Sequence, residues 1–440
     1  MKKKVNIAIL GAGGRDFHNF IVKYKDNAKY DVKFFTAAQI PGISERVFPK
    51  KLAGKLYLRD IPIFPEEDLP RLIKKYGIDE CVFSYSDISH EDVMHKASIC
   101  IANGVNFILL GANETMIKSK KKVISVCAVR TGAGKSPVSR KVAEVLKRHG
   151  KRFVAVRHPM PYGDLNRQEV QRFANYDDFA RHGCTIEERE EYEPWIENGM
   201  VIYAGVDYGK ILREAEKEAD IIIWDGGNND LPFYRPDLHI VVADPHRAGH
   251  ELKYHPGEAN FRMADVILIN KIDSASKENI KIVEDNVKRF NKNAGVIKAK
   301  SELQVSDVEK RIMKGKRVLI VEDGPTLTHG GMSFGAGFLV AKKNGLKIVN
   351  PEKYAVGSIK MVYEKFPHLK YVLPAMGYGN EQIKELEATI NRTNCDFVID
   401  GTPVKLGKLL KINKPIVEVG YCIKESGLKI EDVLMRKKII

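Results

Sequence analysis

The segment Cys127-Ala-Val-Arg-Thr-Gly-Ala-Gly-Lys-Ser136 sets small residues, a lysine and a hydroxyl in the order that phosphate chemistry needs. Backbone N–H groups of Thr131, Gly132, Ala133 and Gly134, together with the positive end of a following helix, would cradle phosphate oxygens. Lys135 would reach the β- and γ-phosphates, and the Ser136 hydroxyl would ligate Mg²⁺. A second run, Ala219-Asp-Ile-Ile-Ile-Trp-Asp225-Gly-Gly, ends an apolar strand on an acid. Asp225 would hold Mg²⁺ through water or position the attacking group, and the glycines after it permit close approach to the γ-phosphate. Lys135, Arg130 and Asp225 are therefore the expected catalytic residues.

The loop departs from the standard pattern, because Val129 stands where the first glycine belongs. At Arg130 it resembles the deviant Walker-A class of ParA-like and nitrogenase-iron-protein-like NTPases, which carry a second lysine there. That resemblance implies an arginine finger, acting in cis or across a dimer, and the alternative is a solvent-facing loop arginine. Val266-Ile-Leu-Ile-Asn-Lys-Ile-Asp273 ends a further strand and resembles the Asn-Lys-x-Asp element with which GTPases read guanine. Asn270, Lys271 and Asp273 join the nucleotide-binding set. ATP-using relatives of that fold keep an Asn or Lys here, so ATP and GTP both stay open.

A second substrate needs its own contacts. Arg157 and His158 leave a strand next to the phosphate loop, and the insertion 157–219 adds Arg172 and Arg189. Guanidinium forks bind phosphate or carboxylate bidentately. These four residues are expected to bind a small anionic substrate, although pairing with the Glu187–Glu193 cluster on a solvated surface is the bland alternative. The glycine-rich stretch Glu322-Asp-Gly-Pro-Thr-Leu-Thr-His-Gly-Gly331 offers a second anion loop, with His329 and Gly330 as contacts and Asp323 or His329 as acid–base groups. Leu10-Gly-Ala-Gly-Gly-Arg-Asp16 looks like a dinucleotide loop, but Asp16 replaces the last glycine and the next strand lacks a ribose-binding acid. A structural turn or a substrate-phosphate loop fits better there than NAD.

Strand-sized apolar runs alternate with amphipathic helix-length stretches along the whole chain, which predicts an α/β fold with parallel sheets. The expected architecture is a Rossmann-like N-terminal domain (1–120), a central P-loop NTPase domain (121–325) carrying the arginine-rich insertion, and a C-terminal α/β lobe (326–440). No apolar run approaches the ~20 residues of a membrane span, and the N-terminus lacks a signal-peptide pattern, so a cytoplasmic protein without membrane contacts is expected. Six scattered cysteines form no C-x-x-C pair and predict reduced thiols. The formal charge of +15 comes without interleaved aromatics, which favours small anions over nucleic acid. A homodimer is the expected assembly.

The strings Gly-Arg-Asp-Phe-His-Asn19, Ala-Val-Arg-Thr-Gly-Ala-Gly-Lys-Ser136, Arg-His-Pro-Met-Pro-Tyr-Gly-Asp164 and Glu-Asp-Gly-Pro-Thr-Leu-Thr-His-Gly-Gly331 together resemble the cyclic 2,3-diphosphoglycerate synthetase-like family. The resemblance implies ATP- and Mg²⁺-dependent closure of 2,3-bisphosphoglycerate into its cyclic pyrophosphate. A regulatory or chaperone-like GTPase switch of the same fold and an ATP-dependent ligase that activates a carboxylate are the alternatives.

Overall fold

The computed structural model describes residues 4–38, 46–158, 163–227, 230–305, 315–328, 332–376 and 380–440. The fold is α/β, as the alternation predicts, and its strands gather into three main sheets. The first runs Val47–Phe48, Ile61–Pro65, Tyr30–Ala37, Val5–Leu10, Glu80–Phe83, Asn106–Leu109, and is parallel except at its first edge pair. The glycine turn after Val5–Leu10 is already filled from within. Asp16 accepts hydrogen bonds from the amides of Gly13 (2.9 Å), Gly14 (3.0 Å) and Phe17 (2.7 Å). Its carboxylate sits where an incoming phosphate would, so this loop is a structural turn.

The central sheet has nine strands, in the order Val170–Phe173, Ile202–Gly205, Phe153–Arg157, Ile221–Asp225, Lys122–Ala128, Leu238–Ala243, Val266–Ile269, Gly295–Gln304, Gly420–Ser426. Only the two edge strands run antiparallel to their neighbours. Its inner strands are apolar on both faces because helices cover both, as parallel sheets require. Helix Lys135–Arg148 lays Val138, Val142, Val145 and Leu146 on one face, and helix Tyr208–Glu218 lays Ile211, Leu212 and Ala215 on the other. The insertion is largely structural. Its helix Ile186–Glu197 starts with a reciprocal Thr185/Glu188 cap and buries Tyr192 and Trp195 in the core.

The third sheet pairs Lys347–Ile348, Arg317–Asp323, Phe397–Gly401 and Ile416–Glu418, with Leu373–Ala375 alongside Arg317–Asp323. It therefore begins ahead of residue 326. After Ile416–Glu418 the chain returns to the central sheet, where helix Ile430–Arg436 packs Ile430, Val433 and Leu434 into the same cluster as Val142 and Leu146. The returning strand ties the third sheet to the phosphate loop's own core. Among the described residues no helix is long and apolar enough to cross a membrane.

Candidate active site

Strand Lys122–Ala128 sits in the middle of the central sheet, and its carboxyl end delivers the loop 129–134 to helix Lys135–Arg148. Gly132 (φ +78°) and Gly134 (φ +100°) take left-handed backbone that an L side chain resists. Space makes the same demand at Gly134, where a Cβ would lie 2.2 Å from Asn270 Nδ2.

Three side chains grip the loop by its carbonyls. Asn270 Nδ2 donates to Ala133 O at 2.9 Å, Lys271 Nζ to Gly132 O at 2.7 Å, and Arg247 NH2 to Thr131 O at 2.7 Å. Fixing the carbonyls on one side orients the peptide planes and leaves the N–H groups for a ligand. Asp244 in turn binds Lys271 (2.8 Å) and Arg247 (3.2 Å), and these cations hold its carboxyl below the usual range despite burial. Asp273 is exposed, and its Oδ1 accepts from Ser301 N at 3.0 Å. Asn270 and Lys271 thus brace the phosphate loop, while Asp273 ties the loop after strand Val266–Ile269 to strand Gly295–Gln304.

Asp225 ends the adjacent strand Ile221–Asp225 with no solvent exposure. Ser139 Oγ donates to its Oδ1 at 2.7 Å, Lys135 Nζ lies 3.5 Å from Oδ1, and Arg157 NH1 donates to Oδ2 at 2.9 Å. Burial opposes ionisation of Asp225, but Lys135 and Arg157 outweigh it and hold the carboxyl below its ordinary range. Burial and the nearby Arg157 in turn make Lys135 easier to deprotonate, against the pull of Asp225. Lys135 Nζ also lies 3.3 Å from Ser136 Oγ. A hydroxyl and a carboxylate are hard oxygen donors that suit Mg²⁺, with phosphate oxygens and water completing the shell. Ser136 borders the cleft and Asp225 lies behind it, so Asp225 would act on the metal through water.

Arg130 borders the cleft, and its guanidinium is engaged by three neighbours. Its Nε donates to Asp87 Oδ1 at 2.6 Å, NH1 donates to His250 Nδ1 at 2.9 Å, and the guanidinium lies 3.6 Å from the centre of the Tyr254 ring. Asp87 Oδ2 also accepts from Thr131 N at 3.2 Å. An acid from the N-terminal domain, itself in left-handed backbone (φ +58°), thereby shapes the phosphate loop. No local sequence signal marks it.

Of the residues expected to bind substrate, Arg157 lines the cleft beside the loop and pairs with Glu191 at 2.5 Å as well as with Asp225. The other described ones lie elsewhere. His158 is buried with Nδ1 2.7 Å from Asp230 Oδ2, against Gly227 and near Phe233. That cluster is a domain contact, where Arg15 donates to Leu231 O (3.0 Å) and Thr115 Oγ1 (2.8 Å) and His18 stacks on Phe233. Arg172 is held by both oxygens of Glu218 at 2.9 and 2.7 Å, and Arg189 by Glu193 at 3.0 Å. Arg172 thus pairs outside the Glu187–Glu193 cluster, whereas Arg189 pairs within it, with a Glu193 that is buried. His329 and Gly330 lie outside the described residues.

The cleft, of about 290 Å³, opens between the phosphate loop and the third sheet. Both sheets present the carboxyl ends of parallel strands to it, the usual place for ligands in open α/β sheets. Arg130, Lys135, Arg140, Arg157 and Lys271 line its loop side together with Glu190 and Glu191, the latter paired with Arg157, while Glu322 and Asp323 line the side of the third sheet. Asp323 is among the acid–base candidates of the sequence and Glu190 and Glu191 fall in its arginine-pairing cluster, whereas Glu322 has no role expected from sequence.

A family model described as "CobW/HypB/UreG, nucleotide-binding domain" matches residues 219–298, the stretch holding Asp225 and Asn270–Asp273. A cyclic 2,3-diphosphoglycerate synthetase of Thermococcus sibiricus is 23% identical over 309 residues, 63% of this chain and 67% of that one. The solved structure of LpxK from Aquifex aeolicus in complex with ATP covers 79% of this chain and 94% of its own, with 14% identity and a TM-score of 0.46. The arginine synthetase ArcE of Thermococcus kodakarensis is 60% identical over 435 residues, 98% of this chain and 97% of that one. The expected resemblance holds at the level of a P-loop enzyme, an NTP-dependent synthetase, ligase or NTPase, and the far higher identity carries the assignment: the chain belongs to the family of the arginine synthetase ArcE.

Proposed function

We propose that this protein is a Mg²⁺-dependent, ATP-driven synthetase that makes arginine by converting the ureido group of citrulline into a guanidinium with ammonia. The observation that carries this reading, beside the 60% identity, is the two-sided charge of the cleft. Cations gather at the phosphate loop, where Glu191 pairs with Arg157, and Glu322 and Asp323 stand across from them on the wall that the third sheet forms. A guanidinium and an α-ammonium need carboxylate partners, whereas a bisphosphate would be repelled by that wall.

A ureido oxygen is a poor leaving group, so replacing it by nitrogen requires activation. Attack of that oxygen on the γ-phosphorus breaks the bond to ADP and yields a phosphorylated isourea. Ammonia then forms the new C–N bond, and the C–O bond breaks with its electron pair leaving on phosphate. Lys135, Arg157 and Arg140 would neutralise charge on the transferring phosphoryl group. Ser136 and, through water, Asp225 would hold Mg²⁺, which would supply charge neutralisation at the phosphates. Asp225 keeps Lys135 and Arg157 in place while the site is open.

The 23% identity to a cyclic 2,3-diphosphoglycerate synthetase favours a second reading, phosphoryl transfer to 2,3-bisphosphoglycerate. One experiment separates the two. Purified protein is given Mg²⁺ and ATP or GTP, with either citrulline and ammonium or 2,3-bisphosphoglycerate. Arginine is followed by mass spectrometry and phosphorus by NMR. Arginine formed in step with ADP is the expected result. A cyclic pyrophosphate without arginine would replace the first reading by the second.

A further inference from the structure

Glu322 lies one residue before the end of strand Arg317–Asp323, is 2% exposed, and borders the cleft. Its Oε1 accepts from the amides of Gly335 at 3.1 Å and Phe338 at 2.9 Å. Oε2 makes no hydrogen bond among the described residues. The backbone approaches that oxygen closely on two sides, since a Cβ at Gly335 or Gly401 would lie 2.3 or 2.4 Å from it. Two glycines from separate elements thus make room for one carboxyl that packing alone would have filled with an apolar side chain.

The geometry also restricts the ligand. With Oε1 committed to two amides, only Oε2 remains to be offered, so a guanidinium fork cannot be gripped bidentately. A single-nitrogen cation needs only that one oxygen. Building on the arginine-forming reading above, we propose that Glu322 is the catalytic group that binds the incoming ammonium ion through Oε2 and takes its proton. The proton passes from ammonium nitrogen to Oε2, and the freed lone pair forms the C–N bond to the phosphorylated isourea carbon. The C–O electron pair and a second nitrogen proton leave with phosphate as hydrogen phosphate, and Glu322 returns its proton to water.

The surroundings suit this role. Burial pushes the Glu322 carboxyl up to about 8, helped by Asp323 on its own strand and Asp400 on the neighbouring one and opposed by the two amides. Tyr421, on strand Gly420–Ser426, also faces it, and helix Ala336–Lys343 contributes the Phe338 amide. An ammonium ion against Oε2 would favour the ionised form, so the carboxylate would be poised to accept a proton near neutral pH.

The test compares wild type with Glu322→Gln and Glu322→Asp at varied ammonium, over pH roughly 6 to 10. Wild type must first make arginine from ATP, citrulline and ammonium; if it makes none, the functional reading and this inference fall together. Given that activity, Glu322→Gln should raise KM for ammonium at least about tenfold at neutral pH, leave KM for ATP and citrulline within about twofold, and approach wild type at high pH, where free ammonia is abundant. Glu322→Asp should show a smaller shift of the same kind, and it carries the test if the Gln variant does not bind ATP. A variant that binds ATP and keeps the wild-type ammonium KM and pH profile would overturn the assignment while leaving the arginine-forming reading intact.

Discussion

Replacing Asp225 by asparagine keeps the shape of the side chain and removes one buried negative charge. Arg157 stands 2.9 Å from Oδ2 and Lys135 3.5 Å from Oδ1. At an effective dielectric of about 20, each contact is worth roughly 5 kcal/mol before desolvation is counted. Burying three charged groups takes back most of that, and breaking such a cluster by removing one partner typically costs about 3–5 kcal/mol. The loss should fall on the ligand-free protein, where nothing else neutralises Lys135. Nucleotide phosphates bring replacement charge, so affinity without Mg²⁺ should stay within about threefold of wild type, because the loop amides are untouched. Turnover should fall at least about 100-fold, since metal-assisted charge stabilisation is worth several kcal/mol. The carboxyl is held below its ordinary range, so its stabilising contribution is complete above the unfolded value and disappears as pH falls through the depressed one. The asparagine variant should lack that acid-side component. Thermal melts with and without nucleotide, isothermal titration in chelator, and a Mg²⁺ titration of turnover give the three readouts. Unchanged Mg²⁺ dependence together with an unchanged ligand-free melt would refute both the electrostatic argument and the metal role.

Gly134→Ala should weaken nucleotide binding by at least about tenfold, because left-handed backbone costs ~1–2 kcal/mol and the methyl lies 2.2 Å from Asn270 Nδ2; equal affinity by titration would mean the loop relaxes freely. Asp87→Ala removes charge-assisted bonds to Arg130 and to the Thr131 amide, and should lower ATP affinity about three- to tenfold without touching the nucleotide. Unchanged affinity there would show that the N-terminal domain does not shape the loop. Asp273→Ala should lower stability slightly by freeing the Ser301 amide and shift ATP/GTP competition by less than about tenfold; a larger preference for GTP that disappears in the variant would make guanine the base.

The phosphate loop was readable from sequence because its chemistry is local. Small residues, lysine and hydroxyl lie within one strand–loop–helix, and the peptide geometry follows from their order. The strand ending on Asp225 and the bracing pair Asn270 and Lys271 were equally legible, since each closes an apolar run at a sheet's carboxyl edge. Reading charge along the insertion went astray because an arginine's partner is set by its place in space. Glu218 lies 46 positions after Arg172 yet claims its whole fork, and His158 turns into a domain contact. Asp16 shows the same limit at short range, since only the folded turn reveals that the loop binds its own carboxylate. The acidic wall was the least accessible feature. Glu322 is far along the chain from the phosphate loop, and it faces that loop because the last strand returns to the central sheet and brings two sets of strand ends face to face. Local motifs fix which groups a loop offers, whereas the charge opposite them depends on long-range packing that no spacing encodes.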